Sequence, residues 1–552
     1  LYNYGASSSG IEFIGAFNTG TDNLTIYTTG SVTQAAGGSI AAAGLELLGT
    51  GATYTLTNTA NAISTLAGNT TTVSYLQNSN FAIGTVNTVG LTATTLTLSS
   101  TQTVTQSQKI AVTGLELLGS GTFTLTNTGS ANAVTALAAN AGVVSFTQST
   151  AYAVGTVNST VGLTTTGNLA LVGSGGITLG ANVSSGAGTQ TYTGPITLST
   201  GAITIASTDA AITFSGSTTK INGAQALTIN SGNARITFGG VIGDTTPISS
   251  LTLQGTGDNY LPSALTAAGN IDLKGSSRAT PLQVNSTITS SSSGNVTLGA
   301  VSGVFSLAIN NGSGTIDLST VGTSSSKLTT FTLYGTGNNK LNGDIVTTGA
   351  IDLKGTSRTT QLFSDVTINT TNSDVTAGTI NGGTTDGAFA FNVNNGTGTI
   401  VAGNVGLVVK LKSLTFTGTG NTNIGTVETT NGYDLGADRG LTLNADTTYN
   451  NPINLVLGAI TLADNVTITL GNGGVGTISI KSISGTAGGS SGVLSGKSNV
   501  VINSVAGVTV IGAVGTDIGT ITITNSGGTT FSSTVDAATV AITSTTVGNA
   551  VT

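Results

Sequence analysis

Cysteine, histidine, methionine and tryptophan are all absent from this 552-residue sequence. Without imidazole the commonest general base is missing, and without a thiol so is the thiolate nucleophile. Together these absences remove His/Cys metal sites and haem ligation, so no metal or cofactor is expected. No disulfide can form, and cysteine usage therefore does not identify a redox compartment. Charge is scarce as well. The chain has 14 Lys or Arg and 21 Asp or Glu, 6% of residues, where about a quarter is ordinary. A net charge of −7 and a pI near 4.4 exclude the clustered cations that a nucleic-acid backbone requires. No apolar run approaches the roughly 18 residues of a membrane helix. The 14 Phe and 11 Tyr are too few and scattered for the aromatic girdles of a membrane barrel. No membrane-spanning segment is expected. Leu1 is not an initiator residue and no signal-peptide pattern follows it. The expectation is a removed targeting segment or a piece of a longer chain.

What is present is Gly (81 residues), with Thr, Ser and Asn around regularly placed aliphatics. That regularity excludes disorder, and it comes from internal repeats. GLELLGTGATYTLTNT at 44–59 returns as GLELLGSGTFTLTNT at 114–128. GTVN at 84–87 and VGLT at 89–92 return at 155–158 and 161–164, which defines a unit of about 70 residues. A second family has a period near 80. LTLQGTGDN (251–259) returns as FTLYGTGNN (331–339) and more loosely as LTFTGTGNT (414–422). IDLKGSSR (271–278) returns as IDLKGTSR (351–358), and NNGSGTI (310–316) as NNGTGTI (394–400).

Within the units the pattern is apolar–Thr–apolar, as in Ile203-Thr204-Ile205, Ile212-Thr213-Phe214 and Leu227-Thr228-Ile229. Period-2 alternation puts both aliphatics on one face, and Gly, Asn, Ser and Asp mark the turns. Ile203, Leu227 and Leu251 are spaced 24 apart, as are Ile212 and Ile236. Such spacing suits one turn of a parallel solenoid, whose aliphatic ladders are buried only by stacking turn on turn. The fold class expected is all-β, a right-handed parallel β-helix of about 23 to 25 coils, a rod of about 110–120 Å at about 4.8 Å per coil. Five segments are expected: N-terminal coils (1–43), two 70-residue repeats (44–170), regular 24-residue coils (171–250), 80-residue repeats (251–440) and C-terminal coils (441–552). Only 5 Pro occur, as a chain of ladders requires.

The GLELLG…TLTNT…GTVN…VGLT units resemble large bacterial exoproteins of the filamentous-haemagglutinin type, exported by two-partner secretion or as autotransporter passengers. The LTLQGTGDN, IDLKG and NNGTGTI units are similar to repeat regions of the same class. The resemblance covers most of the chain. It implies a right-handed parallel β-helix, secretion to the bacterial cell surface, and adhesion to host-cell, neighbouring-cell or surface glycans or proteins.

The densest recurrent charges are Asp272, Lys274 and Arg278, with Asp352, Lys354 and Arg358. They are the candidate surface contacts, set against a solvated corner with weak ion pairs. Glu46 and Glu116 alternate with inward leucines and are expected to point to water. The acids Asp209, Asp258, Asp317, Asp365, Asp386 and Asp464 are dispersed, against the clustered acids of a polysaccharide-cleaving β-helix enzyme, and no enzyme is expected. Gly473–Ile478 is the nearest approach to a calcium repeat, with Ile where Asp is needed. The Thr-dense stretch from Thr92 to Thr105 raises a flat ice-binding array as an alternative. The C-terminal stretch 540–552 reads as strand, and unpaired strand edges suggest end-to-end self-association. The reading is an extracellular adhesive rod. Its alternatives are a purely structural matrix or filament subunit and a carbohydrate-active β-helix enzyme.

Overall fold

A computed structural model describes residues 10–450, 454–486, 497–543, 545 and 550–552. Residues 1–9 of the expected N-terminal coils, and 544 and 546–549 of the expected C-terminal strand, lie outside the described residues. No helix occurs among those described. Apart from one antiparallel hairpin, short strands pair in parallel with the strand one turn away, as a β-solenoid of about 24 turns. The chain divides into two compact units, 1–278 and 279–552.

In the first unit one turn has three sides. Ile203–Ala206, Ile212–Phe214 and Ile221–Asn222 form one circuit, and Ala226–Asn230 begins the next. The registers are those that the 24-residue spacing requires. Ile203 stacks on Leu227 and Leu227 on Leu251, while Ile212 stacks on Ile236. Thr204, Thr228 and Thr252 line up on the outer side of the same strands. Tyr192, Phe214 and Phe238 form an aromatic stack inside, with ring centroids 5.1 and 5.2 Å apart. The second unit repeats the design, with Leu307, Phe331, Ile351, Val375 and Ile400 in one buried column. Each aliphatic in such a column is removed from water, at roughly 25 cal/mol per Å² of apolar area.

Both sequence repeats advance by three turns and one further side. From Leu45, stacking leads through Leu66 and Ile83 to Gln106. Nine more residues of chain then reach Leu115, the counterpart of Leu45. Leu115 sits on Leu96 and Val73, a different column from that of Leu24 and Leu45. In the second unit, Ile351 leads through Val375 and Ile400 to Thr422. Eleven residues later comes Tyr433, which sits on Leu414, in another column. Turns of about 21 residues thus give a 70-residue repeat and turns of about 24 an 80-residue one.

Exposed acids and amides tie successive turns from outside. Asp209 accepts from the Asn233 N–H (2.9 Å), Asp365 from Ala390 (2.8 Å) and Asp386 from Lys410 (2.7 Å). Asp317 accepts from the Asn342 side-chain amide and Asp464 from the Thr486 hydroxyl. Five of the six dispersed acids of the sequence are therefore structural ties between neighbouring turns, and Asp258 contributes through its backbone carbonyl, which accepts from Arg278.

Candidate functional site

The recurrent polar residues build two kinds of cluster, and both differ from expectation. In IDLKGSSR, Ile271 and Leu273 point inward. The Asp272 carboxylate accepts from the backbone N–H groups of Lys274 and Gly275 (3.0 and 3.3 Å), which closes the corner. The same bonds recur from Lys354 and Gly355 to Asp352 (2.8 and 3.2 Å). Lys274 is half-buried and Lys354 exposed, and neither joins an ion pair among the described residues.

Arg278 and Arg358 are not surface contacts. They are 0% and 1% exposed. Each guanidinium turns into its corner and donates to the two turns before it. Arg278 reaches the carbonyls of Gln254 (2.9 Å), Asp258 (3.0 Å) and Ala234 (3.0 Å), with its Nε on the Asn259 side-chain oxygen. Arg358 repeats this on Tyr334 (2.9 Å), Asn338 (3.0 Å) and Gly314 (3.0 Å), and adds the side-chain oxygens of Asn339 and Asn311. The physical reason is that Arg carries five donors and no acceptor, while a corner offers carbonyls that the strand ladders do not use. Burial pulls both guanidinium groups down to about 10, so they remain charged at neutral pH. The NNGSGTI, YGTGNN and IDLKGTSR motifs are thus three successive layers of one corner, clamped by one side chain.

A third clamp was missed in the sequence. Arg439, 1% exposed, donates to the carbonyls of Thr417 (3.0 Å), Asn421 (2.9 Å) and Gly398 (3.0 Å), and to Asn395 Oδ1 (2.9 Å). Its motif, Tyr433-Asp434-Leu435-Gly436-Ala437-Asp438-Arg439, is one residue shorter than IDLKGTSR, which hid the match. Asp434 still accepts from the Gly436 N–H at 2.8 Å.

The glutamates do not point to water. Glu46 is 2% and Glu116 4% exposed, although both lie on the outer side of the strands Ile40–Leu48 and Ile110–Leu125. A hairpin folds over each. Residues 84–90 turn back on themselves through a Thr85–Val89 bridge, and Thr156–Val157 pairs antiparallel with Thr160–Val161. Glu46 accepts from the Thr88 N–H (2.6 Å) and hydroxyl (2.7 Å), the Asn87 amide (2.9 Å) and the Thr25 hydroxyl (2.7 Å). Glu116 accepts from the Thr160 hydroxyl (2.6 Å), the Asn158 amide (2.6 Å) and the Thr97 hydroxyl (2.7 Å). A Cβ on Gly44 would lie 2.8 Å from a Val86 methyl, and one on Gly114 2.9 Å from a Val157 methyl. The glycine of GLELLG therefore makes room for the hairpin that its glutamate holds.

No family model, curated protein or solved structure matches this chain. Chemistry must therefore be read from the groups themselves. Among the described residues no three acidic, His or Cys side chains gather into a metal-binding group. The Thr92–Thr105 stretch does not make a flat array, since it runs over two strands and Thr97 is buried against Glu116. Beside one clamp, Lys354 and Ser357 border a shallow groove floored by Ala377, Gly378, Ala402 and Gly403. The described residues include no helix long and apolar enough to cross a membrane.

Proposed function

We propose that this chain is a structural and adhesive scaffold of a bacterial exoprotein, secreted to the cell surface, whose solenoid units present repeated Thr, Ser and Asn side chains to glycans or proteins. The observation that carries this reading is the use made of the recurrent polar residues. The arginines and glutamates of the conspicuous motifs are spent inside, holding turn to turn or hairpin to turn, and the outer side of the strands is rich in Thr, as at Thr204, Thr228 and Thr252. A surface of that kind acts through many weak contacts, in which linked sites gain effective concentration without a dedicated centre. The resemblance to filamentous-haemagglutinin-type repeats supports secretion and the adhesive role. The carbohydrate-cleaving alternative would require facing carboxylates, and Asp209, Asp365 and Asp386 are each engaged with a neighbouring turn.

The test is a binding screen of the chain displayed on beads against a glycan array and intact cells, with soluble chain as the monovalent control. Adhesion predicts retention by the beads at least tenfold above soluble chain, on a limited set of surfaces. No retention on any surface would leave the purely structural subunit. Self-association belongs to the same proposal and is read separately, by sedimentation and electron microscopy of concentrated chain.

A further inference from the structure

The two hairpins over Glu46 and Glu116 are built alike, and each depends on one carboxylate. Every group on Glu46 is a donor: one backbone N–H, one side-chain amide and two hydroxyls. An ionised carboxylate accepts all of them, but a neutral carboxyl brings a proton that the Thr88 N–H and the Asn87 amide group cannot accept and that a hydroxyl takes only by giving up its own bond to the carboxyl. We propose that the segments 84–90 and 155–162 are acid-releasable straps, closed while Glu46 and Glu116 are ionised and opened when those carboxylates are protonated.

No other charge competes for the role. The strands packed on Glu46 are Leu24–Tyr27 and Ala62–Asn69, and of these only Tyr27 is titratable; the hairpin 84–90 has no ionisable residue. Lys109 lies beyond the far end of that hairpin, with its Cγ near Gly90. The strands Leu91–Ser99 and Ala133–Gln148, which flank Glu116, and the hairpin 155–162 contain no ionisable residue. Neither glutamate joins an ion pair among the described residues.

Burial raises the Glu46 carboxyl, but hydrogen bonds from Thr88, Asn87 and Thr25 outweigh it and hold the group below the usual carboxylate range. For Glu116, burial is likewise outweighed by bonds from Thr160, Asn158 and Thr97. A carboxyl depressed in the closed state stabilises that state fully above the ordinary carboxylate range. The stabilisation is lost as pH falls through the lower, closed-state value. Opening would uncover the half-buried Val86 and the buried Val157.

Hydrogen exchange of the full chain, corrected for intrinsic rates and followed from pH 7 to pH 2.5, tests this. The Thr88 amide is the direct reporter, because it donates to the carboxylate itself. Protection in 84–90 and 155–162 is expected to fall at least tenfold on acidification, while the core strands Gln190–Thr193 and Ile203–Ala206 stay protected. Glu46→Gln should open 84–90 alone at pH 7, and Glu116→Gln 155–162 alone. Should a Gln variant fail to fold, Thr88→Val and Asn158→Ala remove donors from the hairpin side and should open their own straps. Straps that stay protected down to pH 2.5, or that open only together with the core strands, would overturn the proposal.

Discussion

The region around 40–162 and the region of the Arg corners bury opposite ions, and they do so by different means. A carboxylate needs donors, and in a stack of parallel strands the backbone N–H groups are taken by the ladders. The chain around Glu46 therefore leaves the solenoid for seven residues to fetch Thr88 and Asn87. A guanidinium needs acceptors, and carbonyls have a second lone pair even where the first is in use. Arg278, Arg358 and Arg439 find theirs in the corners of the turns already laid down, with no excursion at all. In a chain with 6% charged residues, a buried ion is thus balanced by oriented dipoles where an ion pair would otherwise be required. The cation ties three turns together, and the anion fastens an accessory hairpin with one further bond to the turn before it.

The largest expected effect follows from that difference. Arg358→Met should strand the carbonyls of Gly314, Tyr334 and Asn338, and cost the second unit about 3–5 kcal/mol of local stability, read as lost exchange protection over 307–362. Glu46→Gln should cost about 1–3 kcal/mol, confined to the strap, and equal losses for the two would break the comparison. Arg358→Lys keeps the charge but loses the planar fork, and an intermediate loss of about 2–3 kcal/mol is expected in the same measurement. Gly337→Ala places a Cβ 1.9 Å from the Gly314 carbonyl, beneath the Arg358 clamp. It should destabilise the corner by about 2 kcal/mol, whereas Gly44→Ala should press on the strap at Val86 and on the Asn23 side chain beside it. Tyrosines give a smaller contrast. Tyr192 donates to Gln190 Oε1, while Tyr449 has no partner for its buried hydroxyl among the described residues. Tyr192→Phe should cost about 1 kcal/mol and Tyr449→Phe nothing, by thermal unfolding of each variant. Smallest of all, Lys274→Ala and Lys354→Ala should change stability by less than about 0.5 kcal/mol.

The stacking of Ile203, Leu227 and Leu251 was legible because side-chain alternation and a constant turn length point to one register. The arginines were not, because a lone Arg after a turn reads as solvated, and Arg is almost never fully buried without a partner. The available signal was joint recurrence: NNGSGTI, GTGNN and the Arg come back together at fixed spacing, as layers of one object must. For Glu46 the alternation with Leu45 and Leu47 gave the right side of the strand and the wrong environment. Outward means exposed only if nothing folds across, and the GTVN hairpin that does so lies about 40 residues downstream. Arg439 escaped through a one-residue deletion that changes the spelling of the corner and leaves its geometry intact.

A repeat of three turns and one side has an effect on how such a chain can lengthen. Each added copy carries its ornament a third of the way around the circumference, so neighbours never compete for the same flank. Only the fourth copy would return to the flank of the first, ten turns further on, about 48 Å at about 4.8 Å per turn. Duplication of this block therefore spaces like features at nanometre intervals without any sequence having been chosen to do so.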